Sequence, residues 1–506
     1  MDERNRIVRN TLMLYMRMFF NIFIALITSR LILDVLGVVD YGIYNVVGGV
    51  VVLFTFLNSA MASSTQRYLT FEIGIGDQER LRSIFSTSIF IHIIISLFVL
   101  ILAETIGVWL FYSKLTIPSE RLNAAMWVYQ LSICSCLVSI MSVPYNAAII
   151  AREKMDVFAY ISILDISLRL IVVVFLYFSP MDKLITYAFL LLVISVLIRV
   201  IYVIYCKRHI EEARFFLGWD RKLFFEMLYF AGWNLFGNLA YIGYTQGVNV
   251  LLNIFFGPAV NAARAIAIQL QGTVNNFCNS FQTALNPQIT KSYAAGDKSY
   301  MFNLVYGSSK YSFFLLLLLA LPLLIETEQI LSLWLNIVPD YTVVFLRIML
   351  LITIVDVMAN PLIISAQATG CIRNYQLIIG GILLLIVPIS YFVLKLGGSP
   401  VCAFFVHLSI VILAQVIRLW MIRGMIGLSL KCYFQQVIIP LVKVSSLSVI
   451  IPLLVFYFME VSLLRLLIVI FVSCVSVLLI GYFIGLRKEE KTFVQDKIHV
   501  LIKKFL

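Results

Sequence analysis

Gln271, Asn275, Asn279, Gln282 and Asn286 follow one another at steps of four, four, three and four, the repeat of one helical face. Just ahead of them, Asn234, Asn238, Tyr241, Thr245 and Asn249 recur at the same kind of spacing. Rows of uncharged amides and hydroxyls do one kind of chemistry: they exchange hydrogen bonds with water, with sugar hydroxyls or with the next helix. A single amide in an apolar helix is ordinarily helix-to-helix glue. An unbroken row on two successive helices predicts a hydrated lumen wall instead.

Charges inside apolar sequence are the second feature. Arg17 lies eight residues beyond Arg9, about 12 Å into a bilayer at 1.5 Å per residue, too deep for easy return to the surface. An isolated arginine at mid-span costs ~2.5–3.5 kcal/mol, so Arg17 must either line a lumen or pair with a buried acid. Asn21 follows one turn on, along the same face. Lys310, Arg199, Arg264 and Arg347 stand within about two turns of a helix end, where snorkelling competes with a lumen role; of these, Lys310 is kept as a lumen candidate. Arg30 and Asp34 lie one turn apart near an outer end and suit a pair. Three acids are candidates for a coupling proton or cation: Asp356, which has Asn360 one turn on, Glu104, and Asp165. For Asp165 a structural pair with Arg169, one turn away, is an equal alternative. His92 and His407 lack ligand-spaced partners and read as core residues. The 8 Cys are scattered without CxxC spacing, so neither disulfides nor a zinc site is indicated. No P-loop, nucleophile elbow or acidic metal cluster occurs, so the reading includes no catalytic residue, metal or cofactor, and the chain is not read as an enzyme.

The elements that must position these groups are membrane helices. Of 506 residues 62% are hydrophobic and 13% charged, about half the charge of a soluble domain. Apolar runs between polar breaks predict an all-α polytopic membrane protein with about 14 transmembrane helices, near 8–33, 41–63, 83–112, 122–148, 156–178, 183–206, 223–254, 259–286, 303–325, 341–368, 374–395, 400–421, 436–459 and 462–486. The first run is too long for a cleavable signal. Basic residues gather in alternate connections, among them Arg4, Arg6 and Arg9, Arg67, Arg80 and Arg82, Arg152 and Lys154, Lys291 and Lys298, and Arg487 to Lys504. The positive-inside rule then places both termini in the cytoplasm. The net charge of +12 is thus topology and not a nucleic-acid surface.

The chain also repeats itself. An offset of 220 residues brings Gly37 onto Gly257, Thr70 onto Thr290, and Gly76-Asp77 onto Gly296-Asp297 without a gap. Thr55, Ser59 and Gln66 then take the places of Asn275, Asn279 and Asn286. Two six-helix lobes related by pseudo-two-fold symmetry follow, over 1–208 and 209–430, with two further helices over 431–486 and a basic cytoplasmic tail over 487–506. Parallel repeats around a central site are transporter architecture.

The stretch Ser29-Arg30-Leu31 to Leu36-Gly37, followed by Asp40-Tyr41-Gly42-Ile43-Tyr44, resembles the end of the first helix in bacterial polysaccharide exporters. Arg152-Glu153-Lys154 and the two Gly-Asp loops are similar to that family as well. The resemblance is to the lipid-linked O-antigen flippase group of the multidrug/oligosaccharidyl-lipid/polysaccharide exporter (MOP) superfamily. It implies passage of an undecaprenyl-pyrophosphate-linked oligosaccharide from the cytoplasmic to the periplasmic leaflet of the bacterial inner membrane, by alternating access through a cationic lumen. The membrane potential could drive such export without a dedicated ion site, so an H+ or Na+ counter-ion stays open, and polysaccharide polymerase or assembly proteins are candidate partners. A lipid II flippase and a multidrug antiporter of the same superfamily are the alternatives. A membrane polymerase would ordinarily carry a large outer loop, and the longest here runs only from Glu326 to Tyr341.

Overall fold

The computed structural model describes residues 3–52, 56–114, 117–213, 220–335, 337–492 and 495; Thr55 and most of the expected tail lie outside them. Among the described residues the regular structure is helical throughout. In chain order the helices are α1 (Glu3–Val52), α2 (Phe56–Ile75), α3 (Gln78–Ser113), α4 (Ser119–Ala151), α5 (Met155–Leu176), α6 (Lys183–His209), α7 (Arg221–Phe256), α8 (Pro258–Ala294), α9 (Lys298–Ile325), α10 (Thr342–Ala368), α11 (Arg373–Lys395), α12 (Pro400–Ile426), α13 (Leu430–Phe458) and α14 (Leu463–Gly485). Among the described residues twelve helices are long and apolar enough to cross a membrane. α2 and α8 are not among them. These are the two helices that the 220-residue offset pairs, and their polar rows lower their hydropathy.

α1 runs past its expected end, with a kink at Gly37 (φ 75°, ψ 170°) that separates the first two expected spans. Gly257, between α7 and α8, has the same sign of φ (79°), as do Gly76 and Gly296 in the two Gly-Asp loops. A positive φ costs glycine little and other residues more, so matched glycines mark matched bends. α2 extends to Ile75, well beyond the expected 63, because its polar residues are buried and not at a membrane surface: Ser64, Thr65, Thr70 and Glu72 are all nearly inaccessible. At its end a Cβ on Gly74 would sit 2.7 Å from the Lys291 carbonyl oxygen and 2.8 Å from Ala294 Cβ. The ends of α2 and α8 therefore touch at two positions that the repeat aligns.

The chain forms two compact units. The first comprises Met1–Asn238, Asn286–Asp297 and Gly370–Arg373, and the second Leu239–Leu285, Lys298–Thr369 and Asn374–Leu506. α7 and α8 thus contribute to both, and α13 and α14 belong to the second. In the first unit α1 packs along α5, and α4 along α6. One of its cores joins Leu69, Leu81, Phe85, Ile149 and Met227, and another joins Val99, Phe111, Val128 and Tyr129.

Ion pairs close both ends of the first unit. Arg121 binds Asp40 and Asp182, joining three connections expected outside. Arg152 meets Glu212 at 2.7 Å, and buried Glu153 takes Arg6 at 2.9 Å together with Lys291, joining connections expected inside. In the second unit Arg465 meets Glu326 at 2.8 Å. None of these pairs links a connection expected inside to one expected outside.

Candidate functional site

The first unit holds a polar cavity. Its wall takes Asn58 and Gln66 from α2, Ser139, Ser142 and Asn146 from α4, Ser162, Asp165 and Arg169 from α5, and Ser195 and Tyr202 from α6, around a volume of about 440 Å³. A neighbouring cavity of about 480 Å³ is walled by Tyr44, Asn45, Ser132, Ser135 and others, and shares Asn58, Ser139, Arg169 and Ser195 with the first. Each volume lies in the range of small-ligand sites. The serines reach the wall because 132, 135, 139 and 142, with Asn146 after them, repeat at three and four residues on α4.

The wall carries one charged pair, and a further cation stands behind it. Asp165 accepts from Arg169 Nε at 3.1 Å, one helical turn apart, so the expected pair forms and also faces the cavity. Arg17 stands behind Phe158, a wall residue, with its guanidinium carbon 4.5 Å from the ring centroid. Among the described residues no carboxylate lies within 4.0 Å of Arg17, and its buried Nε has no acceptor. Asn21 donates to Ser162 at 3.3 Å and so braces the same wall from α1. The site can give hydrogen bonds to hydroxyls and offer the Arg169 guanidinium to an anion.

The other expected lumen residues are dispersed. Lys310 is 1% exposed and bonds Glu490 at 2.6 and 2.8 Å in the second unit. The buried Gln282 amide donates to Ser312 Oγ at 3.1 Å and to the Val357 carbonyl at 2.8 Å. Gln271 donates to Thr353 at 2.7 Å, while Asn275 is half-buried and Asn279 exposed. At about 100° per residue the row spans roughly 80°, with Gln271 and Gln282 at the edge that meets α9 and α10 and Asn279 at the other. Asn249 accepts from Arg264 at 3.1 Å and Asn261 at 3.0 Å. Asn234 is buried in the first unit, and Asn238 donates to Ser59 at 3.3 Å. Glu104 is exposed on α3 and accepts from Gln130 at 3.3 Å. Asp356 sits on α10 in the second unit, half-buried, in the electrostatic range of Arg418.

The arrangement of helices decides the fold. A MATE solved in the straight conformation superposes with a TM-score of 0.71 at 14% identity, covering 84% of this chain and 97% of its own. The fold is that of the MATE transporters. An outward-facing multidrug resistance MATE family transporter of the MOP superfamily matches with a TM-score of 0.71 at 13% identity, covering 84% of this chain and 96% of its own. The MATE transporter ClbM in complex with Rb+ matches with a TM-score of 0.69 at 17% identity, with the same coverages. Neither a protein-family profile nor a curated protein matches the sequence. Among its described residues the chain is all-α and polytopic, with twelve helices long and apolar enough to span a membrane, and it has the two-lobed MATE fold.

Sequence reasoning missed Asn58, Asn146, Ser195 and the serine row of α4. That row follows the same three-and-four rule that exposed the amides of α8, so the signal was present.

Proposed function

We propose that this protein carries a polyprenyl-pyrophosphate-linked oligosaccharide from the cytoplasmic to the periplasmic leaflet of a bacterial inner membrane, by alternating access. The observation that carries this reading is the cavity wall of the first unit, which combines serine hydroxyls and amides with Arg169, and has Arg17 behind Phe158. Hydroxyl-rich ligands match the first set and a pyrophosphate matches the guanidiniums, which bind phosphate oxygens two at a time. The MATE fold supplies a transporter scaffold, and the polysaccharide-exporter motifs around Gly37 and Arg152 favour this branch of the superfamily.

Export of a group of charge about −2 from an inside-negative cell gains ~4–5 kcal/mol per 100 mV. The membrane potential thus offers a driving force, with H+ or Na+ exchange at Asp165 or Asp356 as a second. Both termini stay in the cytoplasm, the lobes divide at 208 and 430, and polysaccharide polymerase or assembly proteins receive the product.

Deleting the gene tests the reading. Lipid-linked oligosaccharide should accumulate in the cytoplasmic leaflet, and the mature surface polymer should vanish. Normal surface polymer in a strain without a second exporter would overturn it in favour of drug efflux, the function named for one of the MATE neighbours. Loss of peptidoglycan precursor export would favour the lipid II reading.

A further inference from the structure

Arg169 is the one charged residue common to the walls of both cavities, and among the described residues it is the only charge in the second wall. Its present partner is Asp165, bound through Nε alone at 3.1 Å. Both side chains stay open, 40% exposed for Arg169 and 32% for Asp165. A guanidinium has five N–H donors, and a partly solvated pair made through one of them is weak and exchangeable. A phosphate group taking two donors at once makes the stronger contact. Tyr202 shares the first wall with Asp165, and Tyr44 shares the second with Arg169. Arg17, which also acts on Tyr202, adds positive charge on the Asp165 side.

Resting on the flippase reading, we propose that Asp165 is the resident counter-ion of Arg169, displaced when a phosphate group of the substrate enters and re-paired when it leaves. No covalent bond changes; one anion replaces another on the guanidinium. Ser162, three residues before Asp165 in the same wall, and Tyr202 offer hydroxyls to the released carboxylate. An Arg169 with no competing carboxylate would hold a phosphate group more tightly and release it more slowly. The competing carboxylate weakens binding and keeps the cycle turning, so Asp165 sets turnover by opposing affinity.

The test uses the full chain in lipid nanodiscs, with geranylgeranyl pyrophosphate as the probe and geranylgeraniol as its uncharged control, beside export measured in cells. Asp165→Asn should bind the pyrophosphate about tenfold more tightly, the effect of one unit charge in a partly solvated site, and should export more slowly at normal abundance. Arg169→Gln should bind about tenfold more weakly, and adding Asp165→Asn to it should restore little, since the pair acts as a unit. A merely structural pair gives another pattern, in which Asp165→Asn leaves affinity unchanged or lowers it, and that result overturns the proposal. Failure of the flippase reading is separate: the wild type would not prefer the pyrophosphate over the alcohol, and the deletion strain would keep its polymer.

Discussion

Lys310 Nζ lies 2.6 Å from Glu490 Oε2, with the lysine side chain 1% exposed. The two residues are 180 positions apart, one inside α9 and one just beyond α14. Glu490 also accepts from the Arg487 backbone N–H at 2.7 Å, and Tyr433, near the start of α13, donates to Ser309 beside the lysine at 3.4 Å. The appended helices are fastened to the second unit at this point.

Breaking the clasp on one side should strand a buried ammonium. Glu490→Gln is expected to lower stability by about 3–5 kcal/mol, read as a fall in Tm in detergent and in membrane abundance. The paired exchange Lys310→Met with Glu490→Met should recover both and retain export. Loss of export by the paired variant at normal abundance would return Lys310 to the transport path.

The same clasp should respond to acid. Burial works to raise the Glu490 pKa, but the Lys310 ammonium, the Arg487 N–H and Tyr311 outweigh it and hold the carboxyl below its ordinary 4.5. A depressed carboxyl pKa contributes stability above the unfolded value, and that stability is lost as pH falls through the folded value. A spin label at Lys488→Cys should therefore stay immobile from neutral pH down to about pH 5 and gain mobility only below about pH 4. Mobility rising already near neutral pH would contradict the clasp.

Among the described residues Arg17 meets an aromatic face, Phe158, and no acid. Arg17→Ala should forfeit only the ~0.5–2 kcal/mol of the Phe158 stack, so the protein should still accumulate. Export should drop by about tenfold or more, the loss of one charge-assisted contact. Arg17→Lys should keep part of it, because charge survives without the planar fork, and Arg17→Glu should keep none. Abundance falling in step with export would make Arg17 a structural residue.

Glu153 is 3% exposed, sits at φ 58°, and gathers Arg6, Lys291 and Gln288 on its carboxylate, while its carbonyl accepts from Asn10 at 3.2 Å. Glu153→Ala should cost several kcal/mol, about 3–5, by stranding two cations. Glu153→Gly should be milder by about 1–2 kcal/mol, since glycine relieves the left-handed backbone. Thermal unfolding of the two variants checks the order; alanine as stable as glycine would contradict it.

Topology is open to labelling. In a background without native cysteines, Cys at the exposed Ser119 and Asp340 should react with an impermeant thiol reagent in spheroplasts, and Cys at the exposed Asp77 and Asp297 only after lysis. Labelling at Asp297 from outside would break the repeat scheme.

Helices, their polar rows and the glycine-marked repeat were legible in the sequence because they are local properties: apolar length, a three-and-four spacing, and a residue type that bends the chain at Gly37 and again at Gly257. What each polar residue meets is not local. Gln282 and Asn279 belong to one row, yet one is sealed against Ser312 and the other is exposed, a difference of roughly 60° around the helix that only packing assigns. The place of Lys310 near a helix end left snorkelling open and did not name the acid it meets, which arrives from beyond α14. The serines of α4 were silent for a different reason. A serine in a membrane helix can satisfy itself on the carbonyl one turn back, as Ser135 does on Leu131 and Ser142 on Val138. Nothing in such a residue demands a cavity, so only the tertiary fold, by setting α4 against α2, α5 and α6, turned that row into a wall.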